Sequence, residues 1–543
     1  MKKIIAAAAL MLAVVPVAAQ ETYENAKIAT EDLNGTARYV GMGGAMEALG
    51  ADISTISTNP AGVGLIRKSS ISASMSVVTQ DGATSGVGGD KTNVSFDQIG
   101  FVWSNRMNRT SFLNLSVNYH KSRNFNQILS AADRLDNASF NKLTYAKGNN
   151  LLLYPQQDGQ PLVLTDAQGN FAGYNHQPNY NSYPAFSCTQ LDDMLATNYN
   201  YMEGQWTADN ANSYQFDRAH KGYIGEYDFN LSGNVGNQVY LGLTVGVHDV
   251  HYKHYSEHTD FMHTADMTRD YRLTVADNRE ITGTGYDVKA GIIVRPIESS
   301  PFRVGVYVHT PTFYTLRTSN YTVLDDGSFA VGSNTITEAG PRSSYKFKMR
   351  TPWKFGASLG HTIGQQIALG LTYEYADYST TDNRYITDEY YDDWNDNYYD
   401  QSESDKQMNM HTERTLKGVH TLKVGGEYKP IPSVALRIGY NYVSSMYDKD
   451  GFRDGSINSF GTYVASTTDF TNWEDTHRFT LGAGYTYQKF NVSLAYQYSH
   501  TNGKFYPFMS YTDANTADAD NIATGVKVSN KRNQLLLTLG YTF

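Results

Sequence analysis

Cysteine is almost absent from this chain of 543 residues, which contains only Cys188. A single thiol excludes an internal disulfide, so hydrogen bonding and packing must hold the fold together. Long apolar runs are also lacking, because no stretch after the N-terminus approaches the roughly 18 apolar residues of a transmembrane helix. Positive charge is in deficit, with 44 Lys and Arg against 54 Asp and Glu and a net charge of −10. We therefore expect no nucleic-acid partner.

The first nineteen residues are typical of a secretory signal peptide. Met1-Lys2-Lys3 is basic, residues 4–15 form a short apolar stretch, and Val17-Ala18-Ala19 supplies small residues before a cut. We expect the mature chain to begin at Gln20, without a cysteine for a lipid anchor. Loss of Lys2 and Lys3 then makes the net charge −12.

The C-terminus has the pattern of a membrane-crossing strand. Leu535, Leu537, Leu539, Tyr541 and Phe543 fall on one face of the final segment, which is long enough to cross an outer membrane. Its terminal aromatic resembles the signal that the barrel-assembly machinery reads, so we expect that machinery to be a partner. A soluble β-sandwich whose last strand stops here is the alternative.

Period-two alternation recurs in fourteen segments. The pattern predicts an all-β fold, a 14-stranded antiparallel transmembrane β-barrel. The alternation does not reveal which row faces outward, because soluble sandwiches alternate as well. The predicted strands are 70–79, 94–104, 111–123, 221–234, 237–255, 281–295, 301–318, 343–361, 365–381, 414–429, 433–447, 475–488, 491–505 and 527–543.

The connections between these segments alternate in length. The short set is 105–110, 235–236, 296–300, 362–364, 430–432 and 489–490, and the long set is 80–93, 124–220, 256–280, 319–342, 382–413, 448–474 and 506–526. Short periplasmic turns and long extracellular loops are typical of outer-membrane barrels. We therefore expect the outer membrane of a Gram-negative cell, with both termini periplasmic and residues 124–220 as the largest loop.

Charged residues occupy the row that this orientation turns inward. We expect them to pair across the lumen and to hold the wall and any plug, with a role in substrate binding as the alternative. They are Asp287, Lys289, Arg303, Lys354, Glu374, Lys423, Glu427, Arg437 and Arg478.

The segment before the barrel does not alternate and is rich in glycine and alanine. A fourteen-stranded lumen is wide enough to leak unless it is filled. We therefore divide the chain into a signal peptide (1–19), an N-terminal lumenal hatch (20–69) and a transmembrane barrel (70–543).

Several motifs recur in a characteristic order. They are Gly41-Met42-Gly43-Gly44-Ala45, Asn59-Pro60-Ala61-Gly62, Arg350-Thr351-Pro352-Trp353-Lys354-Phe355-Gly356, Leu422-Lys423-Val424-Gly425-Gly426-Glu427-Tyr428-Lys429-Pro430 and Leu436-Arg437-Ile438-Gly439-Tyr440-Asn441-Tyr442. In this order the chain resembles the FadL-like family of long-chain fatty acid and hydrocarbon transporters, from about residue 33 to the end.

The resemblance implies passive import of hydrophobic small molecules such as long-chain fatty acids by a monomer, without catalysis or a cofactor. Outer loops capture the substrate among outer-membrane lipids and lipopolysaccharide, and a pocket beside the hatch receives it. The hatch or gate residues would be Gly41, Gly43, Gly44, Asn59, Pro60, Ala61 and Gly62. A gap in the wall would release the substrate sideways, and the implied third strand carries Asn114, Ser116 and Asn118 on its inward row.

Other readings of the chain stay open. Some relatives are labelled haem receptors, and His248 and His254 share a strand face while His251 points the other way, so His248 and His254 are weak metal or haem candidates. The acidic stretch from Asp388 to Asp405 is either a solvated loop or a Ca²⁺ site without EF-hand spacing. An adhesion barrel suits the long loops. A rim hydrolase would need a catalytic constellation that no spacing indicates, and it would not need the plug.

Overall fold

Twenty-three strands and three helices make up the described part of the chain in the computed structural model. The described residues are 21–83, 87–140, 142, 163–165, 171–174, 199–200, 205–206, 210–263, 270–326, 343–392, 397–453, 469–510 and 521–543. The strands are β1 Ser70–Asp81, β2 Thr92–Arg106, β3 Phe112–Asn124, β4 Gln127–Ala138, β5 Val163–Thr165, β6 Phe171–Tyr174, β7 Tyr199–Asn200, β8 Gln205–Trp206, β9 Ala211–Val235, β10 Val239–His263, β11 Asp270–Val294, β12 Arg303–His309, β13 Phe313–Asp326, β14 Ser343–Arg350, β15 Lys354–Ile363, β16 Ile367–Asp377, β17 Asp382–Asp392, β18 Asn397–Ser404, β19 Gly418–Ile431, β20 Val434–Val443, β21 Phe470–Tyr487, β22 Phe490–Tyr506 and β23 Val526–Thr542.

The helices lie outside the strand ladder. They are α1 Thr22–Ala29, α2 Ala37–Gly41 and α3 Lys406–Thr415, and short 3₁₀ turns span Ile53–Ser57, Pro60–Leu65 and Tyr378–Thr380. None of the helices described here is both long and apolar enough to cross a membrane.

The sheet closes on itself, because β1 pairs antiparallel with both β2 and β23. Around the wall, three strands are each interrupted, as β12 with β13, β14 with β15, and β16 with β17. β4 continues β3 along β9 in the same way. β18, which pairs with β17, is counted as one strand with β19, which pairs with β16. Counted so, the described residues form a closed barrel of fourteen antiparallel strands. The predicted strand number is confirmed.

Side chains on the wall follow an inside-out pattern. On β3, Leu115 and Val117 are 45% and 48% exposed, whereas the alternate residues Asn114, Ser116 and Asn118 are buried. The other strands repeat this arrangement, with apolar residues outward and polar residues inward. A soluble barrel has the opposite polarity, so this outward apolar row, the apolar belt, is the surface of a transmembrane barrel. The structure thereby shows which row of side chains faces outward, which the alternation alone did not reveal.

The wall continues well beyond the apolar belt. Strands β9, β10 and β11 each have 25 residues, although about ten are enough to cross the membrane. On β10 the apolar belt ends at Val247, and His251 and Lys253 point outward after it. Parts of 124–220, 256–280 and 319–342 that we expected to be loops are therefore strands, and 382–413 contains the β17–β18 hairpin and α3.

The part of the barrel beyond the apolar belt contains an apolar cluster in its interior. Tyr23 and Ile28 of α1 pack with Tyr252, Leu316 and Phe347 of the wall in one buried cluster. Both faces of this region are away from lipid, so its interior resembles the core of a soluble protein.

The two ends of the described chain lie at opposite ends of the barrel. Phe543 donates its backbone N–H to Ser69 O at 2.9 Å, beside the short connections. Glu21, the first described residue, is buried near Arg453 of a long connection, with 3.5 Å between their charged groups. The segment after Glu21 runs along the inside of the wall.

Candidate functional site

Residues 21–66, the N-terminal segment, fold through short local caps. The Thr36 hydroxyl accepts from Tyr39 N at 3.1 Å, Asp52 accepts from Ser54 N at 3.0 Å, and Asn59 accepts from Ala61 N at 3.2 Å. Side chains of this type satisfy the free N–H groups at a helix start. Each cap begins a one- or two-turn helix, so the segment turns repeatedly within a small space.

Wall glycines allow the backbone of this segment to approach closely. A Cβ on Gly425 would overlap Met42 O, a Cβ on Gly439 would overlap the N atom of Gly43, and a Cβ on Gly370 would overlap Ala45 O. These glycines belong to three neighbouring strands, β16, β19 and β20. The segment is therefore seated against the wall, backbone to backbone.

The residues predicted for the hatch occupy this contact. Gly43 and Gly44 have φ of +64° and +78°, which glycine adopts without strain. Gly41 packs against Gly482 of β21. Asn59 is fully buried, donates to Glu47 O at 3.1 Å, and lies beside Gly291 and Gly305. On the wall side, Pro60 and Ala61 meet Gly242, and Gly62 packs on Thr55 within the segment.

Ion pairs join the segment to the predicted inward charges. Glu31 pairs with Lys354 at 2.7 Å, and Glu47 pairs with Lys423 at 2.9 Å. Arg38 lies 3.1 Å from Glu427, which also pairs with Arg437 at 2.7 Å. Three more of the predicted charges also face inward: Arg303 donates to Leu49 O at 3.3 Å, Glu374 accepts from Tyr307 at 2.8 Å, and Arg478 donates to Asn441 at 2.8 Å.

Three arginines converge on one carboxylate of the segment. Asp32 lies 3.0 Å from Arg123, 3.8 Å from Arg478 and 3.9 Å from Arg532. Burial favours the protonated acid, but the charges of Arg123, Arg532 and Arg478 hold the pKa of Asp32 below its ordinary value. The arginine cluster therefore stabilises a carboxylate inside the barrel.

A cavity of about 260 Å³ lies between residues 26–34 of the segment and the wall, and the arginine cluster is part of its lining. Six Lys or Arg but only four Asp or Glu line it, although the chain as a whole has a net charge of −10. The cavity lining thus combines basic side chains with apolar ones. The apolar side chains include Leu33, Phe125, Val419, Val443, Met446 and Trp473.

The predicted lateral opening has an unbroken ladder. Asn114, Ser116 and Asn118 are buried, and β3 pairs continuously there with both β2 and β9. Asn114 donates to Val63 O of the segment at 2.7 Å, and Asn118 accepts from Gln98 at 2.9 Å.

The described wall is interrupted elsewhere, at residues 310–312, 351–353 and 378–381, which we call the seam. Pro311 and Pro352 lack the N–H that a ladder needs. Threonine side chains replace part of the ladder, since Thr351 Oγ1 accepts from Thr312 N at 2.8 Å and Thr310 Oγ1 accepts from Val288 N at 3.0 Å. The seam was not predicted, although Pro311 and Pro352 lie within predicted strands and are a signal of an interrupted ladder.

A small cavity links the seam to the segment. It has a volume of about 20 Å³ and lies between residues 28–31 and the seam residues Thr310, Thr312 and Pro352. It shares Glu31, Lys354 and Tyr378, among others, with the larger cavity. The seam is therefore next to the place where a molecule in the larger cavity would lie.

His248 and His254 are buried and have partners. His248 lies 3.0 Å from Asp287, and His254 lies 3.1 Å from His220 and 3.0 Å from Ser256. His251 points outward, as alternation predicts. Neither His248 nor His254 is open to a ligand as large as haem. The centre of the acidic stretch, 393–396, lies outside the described residues.

A closed, inside-out wall around a charged, partly hollow interior defines a transmembrane β-barrel of the outer-membrane type.

No family model matches the chain, and no curated protein matches it. Solved structures do match it along most of its length. A FadL homologue from Pseudomonas aeruginosa is 13% identical, with 95% of this chain and 99% of that chain covered and a TM-score of 0.47. The toluene transporter TodX from Pseudomonas putida is 10% identical, with 95% and 100% covered and a TM-score of 0.46. The toluene transporter TbuX from Ralstonia pickettii is 11% identical, with 94% and 99% covered and a TM-score of 0.44. The matches thus include the FadL-like barrels that the motifs resemble.

Proposed function

We propose that this barrel imports amphipathic hydrophobic compounds with an anionic head group, such as long-chain fatty acids, by passive diffusion across the outer membrane. The cavity beside the N-terminal segment is the binding pocket in this proposal. Its arginine cluster receives the head group, and its apolar side chains receive the hydrocarbon chain.

The cationic surplus of the cavity is the observation that carries this proposal. Six basic and four acidic side chains line the cavity of a chain that is acidic as a whole, and a local surplus of basic side chains favours an anionic ligand. Each methylene that leaves water for the apolar side chains contributes about 0.8 kcal/mol. The two effects together favour a molecule that is charged at one end and apolar along its length.

The N-terminal segment acts as the hatch in this proposal. Its caps, its ion pairs and the wall glycines keep it seated, and they support a division of the mature chain into a hatch at 20–69 and a barrel at 70–543. We place Phe543 and the short turns on the periplasmic side, with the barrel acting as a monomer among outer-membrane lipids and lipopolysaccharide. The outward C-terminal aromatic is available to the barrel-assembly machinery.

We propose the seam, rather than Asn114, Ser116 and Asn118, as the lateral exit. Parting β3 from its neighbours would break backbone hydrogen bonds on both sides, whereas the seam already lacks some of them. The seam also adjoins the binding cavity, and apolar rings line its outer surface. Trp353 and Phe355 stack there with ring centroids 6.5 Å apart, which suits a molecule that passes into the membrane.

The test is a binding comparison between a fluorescent long-chain acid and the alcohol of equal chain length. The acid should bind more tightly, and Arg478→Gln combined with Arg532→Gln should weaken binding of the acid by about tenfold or more, since a hydrogen bond to a charged group is worth about 1.5–3 kcal/mol. The alcohol should respond little. Arg303→Gln changes another inward arginine, one that does not line the cavity, and is the matched control.

Equal binding of acid and alcohol, unaffected by the double substitution, would count against the anionic head group. Absence of any apolar molecule in mass spectrometry of the gently purified protein, with normal uptake in a deletion strain, would count against transport. Deletion of residues 20–60 distinguishes a hatch-plugged transporter from an adhesin. A transporter that loses its hatch should admit small polar solutes, whereas the function of an adhesin should not change.

A further inference from the structure

Six ionisable side chains, three acidic and three basic, meet on the inward faces of β3, β9, β10 and β11. They are His120, Glu226, Asp228, His248, Asp287 and Lys289, and we call them the histidine–carboxylate cluster. Each of the six is at most 6% exposed. Neither the seating of the N-terminal segment nor the arginine cluster accounts for so many buried charges.

Lys289 holds one oxygen of each carboxylate. Its ammonium contacts Oε1 of Glu226, Oδ1 of Asp228 at 3.2 Å and Oδ1 of Asp287 at 3.3 Å. The second oxygens therefore face the imidazoles. Asp228 Oδ2 lies 3.4 Å from His120 Nδ1, and Asp287 Oδ2 lies 3.0 Å from His248 Nε2.

Glu226 Oε2 lies between the two imidazoles, 3.5 Å from His120 Nε2 and 3.8 Å from His248 Nδ1. In a tetrahedral site with bonds of about 2.0–2.2 Å, neighbouring ligand atoms are separated by roughly 3.3–3.6 Å. Two triads have ligand atoms that all lie within 4.8 Å of one another: His120 with Glu226 and Asp228, and Glu226 with His248 and Asp287. Glu226 belongs to both.

Several atoms of the cluster lack hydrogen bonds. His120 Nδ1, Asp228 Oδ2, His248 Nδ1 and Asp287 Oδ1 are buried and make none. The three carboxylates carry three negative charges and Lys289 one positive charge, so two negative charges are left when both imidazoles are neutral. Burying uncompensated charge is costly, so the cluster requires either two imidazolium ions or a divalent cation bound by neutral imidazoles.

We propose that the histidine–carboxylate cluster binds a divalent transition-metal ion of the zinc class, with Glu226 as the shared ligand. Histidine and carboxylate together suit zinc, cobalt or nickel, whereas magnesium and calcium prefer oxygen ligands alone. Lys289 positions the carboxylates and is not itself a ligand. His120 also lines the larger cavity, but the metal proposal does not rest on the anionic ligand proposed there.

The experiment uses the full barrel in detergent, without a polyhistidine tag, stripped with a chelator and then equilibrated with zinc chloride in excess magnesium. Elemental analysis should find about one zinc per chain. Glu226→Gln should lower zinc affinity by at least about tenfold, because it removes the shared ligand. Glu427→Gln changes another buried inward carboxylate, one paired with arginines, and should keep the zinc. Heat-modified gel migration reports whether each variant is folded.

His120→Asn and His248→Asn then assign the triad, since the substitution that abolishes zinc binding identifies the histidine that is a ligand. X-ray absorption should show only nitrogen and oxygen neighbours near about 2.0–2.1 Å. A folded wild-type barrel that takes up no zinc would overturn the proposal. Zinc retained by Glu226→Gln, or by the double histidine variant, would overturn it as well.

Discussion

Lys423 Nζ lies 2.9 Å from Glu47 Oε1, and both side chains are buried where β19 meets the N-terminal segment. Glu47 also accepts from Tyr39 at 3.0 Å and from Thr372 at 2.7 Å. The pair thus joins the segment to the wall at one point, with its remaining polar atoms partly satisfied by neighbours.

Removing one member of this pair should loosen the segment. Lys423→Met leaves Glu47 buried and unpaired, and breaking a buried ion pair in this way costs about 3–5 kcal/mol. Lys423→Met combined with Glu47→Gln removes both charges and should recover most of that loss. The measurement is the urea midpoint of unfolding in micelles. Equal midpoints for the single and double variants would show that the pair does not hold the segment.

Two adjacent glycines of β19 give a matched test of the seating. Gly425→Ala places a methyl group onto Met42 O and should displace the segment, whereas the nearest atom to a Cβ on Gly426 is 3.6 Å away. We expect Gly425→Ala to raise single-channel conductance and sensitivity to polar antibiotics. Gly426→Ala should behave as wild type. A tight Gly425→Ala barrel would mean that the segment does not seal the lumen.

Two engineered disulfides discriminate between the possible exits. Phe313 and Arg350 are direct ladder partners beside the seam, and Ser116 and Asn230 are partners across β3 and β9. Opposed antiparallel residues have Cα separations of about 4.5–5.5 Å, which a disulfide spans. In a Cys188→Ser background, oxidation of the F313C/R350C pair should slow fatty acid uptake, and reduction should restore it.

The S116C/N230C pair should leave uptake unchanged in both redox states. The reverse result, with uptake blocked only by the pair on β3, would move the exit back to the third strand.

Asp277 should give the barrel a pH-dependent stability. It lies on β11 beyond Tyr286, the last outward aromatic of the belt, and burial raises its pKa from an ordinary 3.8 to about 7. Its charged surroundings are Arg279, Glu24, Asp469, Arg453 and His254. The folded state binds the proton more tightly than the unfolded chain does, so stability should fall as pH rises from about 4 to about 7.

Asp277→Asn removes the penalty of the charged form. The variant should be more stable than wild type near about pH 8, and the difference should shrink toward zero near about pH 4. Urea unfolding at several pH values is the measurement. A constant difference across this range would mean that Asp277 does not titrate in it.

Strand number and inward charges were predictable because they depend on local alternation. The rows of β3 or β20 repeat every second residue, and connection length then orients them, so the inward directions of Lys423 and Arg437 follow from spacing alone. Burial of those residues agrees with that orientation.

Contacts across the barrel were not predictable in the same way. Asp32 and Arg532 are far apart in the chain, and the pattern of each strand says nothing about which interior side chains meet. Strand length was underestimated because the outward face of β10 contacts water instead of lipid after Val247. Its outward residues become polar there, and the alternation that marks a strand is lost. The seam could not be predicted because it requires prolines of neighbouring strands to lie side by side, and only the strand register reveals that.

The 25-residue strands have an evolutionary consequence. One strand passes through lipid and then through water, so the same outward substitution has a different free-energy cost at different positions along the strand. Lysine at the outward position of Val245 would face lipid and cost up to about 2–4 kcal/mol, yet Lys253 occupies an outward position on the same strand. Sequence drift along each wall strand should therefore change character abruptly where the lipid ends, and that boundary marks the membrane surface.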